Sequence, residues 1–206
     1  MNIIAHRGFW VSEAEKNSPL AFQRALEHGF GIETDIRDFQ GALVISHDIP
    51  NASCQTVEDF FKQCISFTHG TLALNIKSDG LQAPLQALLA RYHIQNYFVF
   101  DMSIPDAMGY LRQDMVAFTR QSDHEPTPFL YEKSAGVWMD EFTSHWITPA
   151  AIQAHFDKGK KVAIVSPELH RRTYEAEWNE YLWLKDRPLA LLCTDFPDKA
   201  KRMFFS

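Results

Sequence analysis

The chain has 206 residues and a formal net charge of −6, with 46% hydrophobic and 22% charged residues. That balance excludes a disordered chain and argues against a nucleic-acid binder, while leaving room for a few local cations around a phosphoryl group. No apolar run approaches the roughly 20 residues of a membrane helix, so no stable membrane anchor is expected.

Residues 2–5 are a short apolar run that reads as a buried strand, with no signal-peptide pattern before it. Cys54, Cys64 and Cys193 show no zinc-like spacing. A cytoplasmic chain with free thiols is the expectation. The first strand runs out into His6-Arg7-Gly8, where Gly8 permits a tight departure of the backbone. Asn17 or Ser18 can cap a helix with Pro19 in its first turn and Leu20, Phe22, Ala25 and Leu26 on one face.

The next strand carries Glu33 and Asp35, two residues apart and therefore on the same side. Turn chemistry at 38–41 leads into a hairpin strand at 42–46, which delivers His47-Asp48. Thr56 and Asp59 open a second helix in the manner of a capping box. Beyond it, strands at 71–76, 97–100, 115–119, 136–140, 161–165 and 189–194 alternate with helices at 81–93, 103–112, 149–158, within 171–185 and at 197–205. Asp101 is read as the cap of the helix that follows it.

Eight βα repeats predict an α/β fold, a (β/α)8 TIM barrel with a β-hairpin inserted after the second strand. The chain, 1–206, is read as a single barrel domain. It lies near the lower size limit of about 200 residues for that fold, so a helix should be missing, and 120–145 is where its absence is expected. An open doubly wound sheet is the alternative.

In a barrel the C-terminal strand ends converge on one mouth. His6, Arg7, Glu33, Asp35, Asn75, Lys77, Arg120, Asp140, Glu168 and Asp195 all stand at or just past such ends. Glu33 and Asp35 offer two hard oxygen ligands, which suit Mg2+ or Ca2+. They can also be structural, paired with Arg7 or Arg37. Arg7 and Lys77 can hold a phosphoryl group. His6 and His47 can act on opposite sides of a phosphorus atom, one taking a proton and the other giving one.

Arg120 and Glu168 are candidates for substrate recognition, as are Trp138 and Asp140, which share a strand face. Trp138 reads more readily as core than as a sugar platform. His28, His69, His93, His145, His155 and His170 are read as scattered surface or core residues. Thr194-Asp195 is read as closing the barrel and supporting the mouth.

Ile-Ala-His6-Arg7-Gly8, Asn17-Ser-Pro-Leu-Ala-Phe22, Gly31-Ile-Glu33-Thr-Asp35-Ile, Val-Ile-Ser-His47-Asp48, Leu-Ala-Leu-Asn75-Ile-Lys77 and Cys-Thr194-Asp195-Phe-Pro197 together resemble the ordered motifs of the glycerophosphodiester phosphodiesterase family. The resemblance runs over nearly the whole chain. It implies a TIM barrel and a divalent-metal-dependent hydrolase of glycerophosphodiesters. His6 and His47 would then be the acid–base pair, Arg7 a phosphate contact, and Glu33 and Asp35 metal ligands.

Two positions depart from the family pattern. Asn75, whose amide oxygen can still ligate the ion but brings no charge, stands where the family has a third metal-binding carboxylate, and Lys16, a further candidate for substrate recognition, where it has Glu. Both changes make the mouth more positive. We therefore expect a substrate more anionic than a simple glycerophosphodiester, such as a sugar-phosphate or polymer-linked phosphodiester. Two rivals stay open: a degenerate barrel that binds a phosphorylated ligand without turnover, and a lyase that releases a cyclic phosphate.

Overall fold

Strand alternates with helix along the chain in the computed structural model, which describes residues 1–68 and 70–205. The strands are β1 (Asn2–His6), β2 (Gly31–Phe39), β3 (Ala42–Ile45), β4 (Leu72–Ile76), β5 (Tyr97–Phe100), β6 (Phe118–Ser122), β7 (Gly136–Asp140), β8 (Lys161–Val165) and β9 (Ala190–Thr194). The helices are α1 (Pro19–Glu27), α2 (Val57–Cys64), α3 (Gln82–Arg91), α4 (Ile104–Arg112), α5 (Pro149–Phe156), α6 (Glu175–Glu180) and α7 (Pro197–Phe205). No helix among the described residues is long and apolar enough to cross a membrane.

Eight strands pair in parallel in the order β5-β4-β2-β1-β9-β8-β7-β6. The two ends of that path, β5 and β6, meet through a bridge between Val99 and Ala117, where the Val99 N–H donates to Val116 at 2.9 Å. The sheet is thus a nearly closed (β/α)8 barrel, with β3 folded back antiparallel on β2 as the expected hairpin. Between β6 and β7 the described residues hold only a single turn of 3-10 helix at Tyr131–Lys133, so the missing helix falls where expected.

Two-residue alternation divides the barrel into two apolar layers. Ile3, Ile32, Leu72, Leu74, Val137, Met139, Val162, Ile164 and Leu192 face the helices and pack with Phe22, Phe60, Tyr110 and Trp178. Ile4, Ala73, Phe98, Phe100, Phe118, Trp138, Ala163, Val165, Leu191 and Cys193 fill the interior. The same parity, carried one step further along each strand, places His6, Asn75, Arg120 and Asp140 at the mouth. Glu33 joins them because it is paired in register with His6.

One strand lies three residues later than the sequence indicates. The apolar run 115–119 suggested a strand, but β6 runs from Phe118 to Ser122 and pairs with β7 throughout. Val116 and Ala117 instead make the closing contact with β5. The polar Arg120-Gln121-Ser122 looked like loop because its side chains serve the mouth and the outer helices rather than a core.

Candidate active site

The turn after β1 sets the geometry of the mouth. Arg7 and Gly8 both have positive φ, 56° and 87°. At Gly8 a Cβ would meet Cβ of Ala21 at 2.8 Å, so glycine is required on two counts. The turn directs the Arg7 side chain over β2, where Nε lies 3.2 Å from Oδ2 of Asp35. Ser18 caps α1 by accepting from the Ala21 N–H. Asn17 is thereby free for the site, and its amide donates to Asp35 Oδ2 at 2.9 Å while accepting from Thr34 at 2.8 Å.

A cleft of about 310 Å³ opens at the C-terminal ends of the strands. It is lined by His6, Arg7, Glu33, His47, Asn75, Lys77, Arg120, Trp138 and Asp140 of the residues singled out by sequence. His6 Nδ1 stands 2.6 Å from Oδ1 of Asp195, which leaves Nε2 facing inward, 3.8 Å from Glu33. His47 Nδ1 is 2.9 Å from Asp48, and its backbone carbonyl accepts from Arg37 at 3.1 and 3.2 Å. Arg37 therefore anchors the His47 loop and leaves Glu33 and Asp35 alone.

Asp35 is fully buried and stands beside two cations, Arg7 and Lys77, the latter with Nζ 3.6 Å from Oδ1. Pairing with Arg7 was one of the structural alternatives for this acid, and the contact is present. Glu33 is buried next to it. Burial, with the adjacent Asp35 charge, pushes the Glu33 carboxyl up to about 7. Asn75 lies opposite Asp35 in the β2–β4 register.

Three buried polar atoms here have no hydrogen-bond partner: Arg7 Nε, Asp35 Oδ1 and Asn75 Oδ1. Arg7 Nε is close to Asp35 but off the hydrogen-bond line. An unsatisfied donor and two unsatisfied acceptors suit an anion and a cation bound side by side.

Two candidates lie elsewhere. Lys16 does not enter the cleft. Its Nζ sits 4.5 Å over the Trp10 ring, 4.0 Å from Asp195 and 3.8 Å from Glu13, which balances its charge there. Glu168 is turned to the barrel wall. Its carboxylate accepts from Ser166, from Thr194 at 2.5 Å and from the Asp195 N–H at 3.0 Å, and so ties β8 to the end of β9.

Other mouth residues were not singled out from the sequence. Asp101 pairs with Lys77 at 3.3 Å and with Arg120, while the cap of α4 is Ser103. The signal for Asp101 was its place at a strand end, which was read as a cap instead. His170 lines the cleft with Nε2 2.6 Å from Asp140, and His145 sits in an acidic cluster of its own. No sequence signal marked either, because His145 comes from a loop and His170 from a short 3-10 turn after β8. His69 lies outside the described residues. Phe100, stacked on Trp138 at 3.9 Å, forms an apolar wall with Phe142 and Leu169. Trp138 is thus both interior core and cleft lining.

No family model and no curated relative matches the chain. Solved structures do. A glycerophosphodiester phosphodiesterase from Parabacteroides distasonis superposes with a TM-score of 0.68 at 15% identity, covering 98% of this chain and 96% of that one. One from Agrobacterium tumefaciens gives 0.69 at 15% identity, covering 96% and 98%. A phosphodiesterase from Oleispira antarctica, solved with the product sn-glycerol-3-phosphate, gives 0.70 at 16% identity, covering 100% and 97%. At these identities the likeness establishes the fold, and the resemblance read from the motifs holds at that level.

Proposed function

We propose that the chain is a phosphodiester hydrolase that acts on a glycerophosphodiester or a related sugar- or polymer-linked phosphodiester. The observation that carries this reading is the convergence of His6, His47, Arg7 and Lys77 on one cleft with Glu33 and Asn75. Solved structures of the same fold are described as glycerophosphodiester phosphodiesterases, which agrees with it.

The chain's own groups divide the work. Arg7 and Lys77, which both line the cleft, hold the phosphoryl oxygens. Asp195 fixes the His6 ring through Nδ1, so Nε2 is the atom that exchanges a proton in the cleft. His47, on the β3 loop, exchanges the other proton. For hydrolysis, one imidazole takes a proton from the attacking water, and its partner protonates the leaving oxygen. The apolar wall of Phe100, Trp138, Phe142 and Leu169 covers the alcohol side.

The donors present fit a divalent cation. Glu33, Asp35 and Asn75 would hold it, and the orphaned Oδ1 atoms of Asp35 and Asn75 are the reason. Such a cation, Mg2+ or Ca2+, supplies charge stabilisation at a non-bridging oxygen. Because Lys16 is spent on Asp195, only Asn75 makes the mouth more positive than the family pattern.

The test is hydrolysis of a panel of phosphodiesters with and without EDTA, in wild type, His6→Ala and His47→Ala. Phosphorus NMR of the products separates a hydrolase from a cyclising lyase. Lack of turnover by wild type with any divalent metal would sink the hydrolase reading and leave a phosphate-binding barrel.

A further inference from the structure

Directly after β7 the chain turns a carboxylate away from the mouth. Glu141 is 1% exposed. Its Oε1 accepts the N–H groups of Trp146 at 2.8 Å and Ile147 at 2.7 Å, and its Oε2 accepts from Arg172 at 3.0 Å. The loop leading to α5 brings His145 back beside it, with Nδ1 3.0 Å from Glu141 Oε1. From α6, Glu177 presents Oε2 at 3.5 Å from the same Nδ1, and Glu180 presents Oε2 at 3.2 Å from Nε2. Glu141, His145 and Glu177 each offer one ligand atom, all within 4.8 Å of one another.

A second observation is independent of that clustering. Glu177 is only 7% exposed; its Oε1 accepts from Arg172, whereas its Oε2 has no hydrogen-bond partner, with the His145 ring 3.5 Å away. Leaving such a buried acceptor unsatisfied carries the full desolvation cost of the group. An imidazolium at 145 would donate its Nδ1–H to Glu141 at 3.0 Å and reach Glu177 Oε2 only as an ion pair at 3.5 Å. With Glu180 accepting the Nε2 proton, a neutral ring instead aims its Nδ1 lone pair at two carboxylate oxygens. A cation between them completes that arrangement, and an imidazole backed by a carboxylate is how metal-bound histidines are commonly held. With all three carboxylates ionised against Arg172 the cluster would be two charges negative, which a divalent ion neutralises.

We propose that Glu141, His145 and Glu177 form a metal site outside the barrel mouth, selective for a first-row divalent ion of the zinc class. One imidazole nitrogen with two carboxylate oxygens suits such an ion better than the all-oxygen preference of Mg2+ or Ca2+. Three protein ligands leave a fourth position to water. The His145 side chain is 30% exposed, so the ion can reach it. Bound there, it clamps the β7–α5 loop to α6. Asp140, adjacent to Glu141, and His170, two residues before Arg172, both line the mouth, so the clamp steadies one side of the cleft.

The experiment titrates Zn2+ into the chelator-stripped full chain at pH 7.5 with millimolar Mg2+ present, by calorimetry and by metal content after gel filtration. Wild type and Asp35→Asn should each retain one zinc that His145→Ala lacks. Glu177→Gln should weaken it at least tenfold, and Glu180→Gln roughly tenfold, the low end for loss of an outer partner of a ligating histidine. The exposed Glu180→Gln change keeps the test valid if His145→Ala fails to fold. Absence of zinc binding in wild type would overturn the proposal. So would zinc affinity unchanged in both Glu177→Gln and Glu180→Gln, which would leave the cluster as an imidazolium ion-pair network.

Discussion

His6 Nδ1 and Asp195 Oδ1 lie 2.6 Å apart although 189 residues separate them in sequence. The contact exists because β1 and β9 are neighbours in the closed barrel, with Ala5 paired to Thr194. Asp195 is itself held by Glu168 through its N–H and by Lys16 at the carboxylate. It therefore acts as a positioning residue for the His6 ring. Asp195→Asn should lower kcat by on the order of 10²-fold, the low end for a general acid–base group, with KM little changed. A melting temperature close to wild type separates this from a folding defect, and a purely structural role predicts no selective loss of kcat.

Much of the barrel was legible because nearly every strand is apolar on both faces, and polar residues break in only at its C-terminal end. His6-Arg7-Gly8, Glu33, Asp35 and His47-Asp48 were visible for that reason. The roles of Lys16, Glu168, Asp101, His145 and His170 were not. Each depends on which strand ends closure brings together, or on the path of a loop, and neither leaves a local pattern. β6 was displaced because its strand half facing β7 is polar, which periodicity alone reads as loop.

Asn75 Oδ1 is buried and unsatisfied opposite Asp35. Restoring a carboxylate with Asn75→Glu adds a ligand charge, so the divalent-metal concentration for half-maximal activity should fall roughly tenfold or more. In EDTA the same variant should melt lower than wild type, since a third acid then crowds Glu33 and Asp35. Unchanged metal activation would show that residue 75 does not ligate the ion.

Gly8 carries both a positive φ and a steric limit at Ala21. Gly8→Ala should cost about 1–3 kcal/mol in urea unfolding, through backbone strain together with the displaced α1. It should also lower activity at pH and metal saturation, because Arg7 and His6 flank the same turn. A stable, fully active Gly8→Ala protein would contradict the geometry of this turn.

The His170–Asp140 pair gives the mouth a pH dependence of definite sign. The hydrogen bond that the His170 ring donates to Asp140 raises the His170 pKa above its usual 6.5, against partial burial. A histidine raised on folding binds its proton more tightly in the native state. Its stabilisation is complete below about 6.5 and is lost as pH rises through the higher folded value. The coupling between His170→Gln and Asp140→Asn, from a double-mutant cycle of urea unfolding, should therefore be larger at pH 6 than at pH 9. The cationic ring also adds positive charge to the cleft, so KM for an anionic phosphodiester should rise over the same interval in wild type. In His170→Gln that added rise should disappear, and a KM profile identical to wild type would remove His170 from substrate binding.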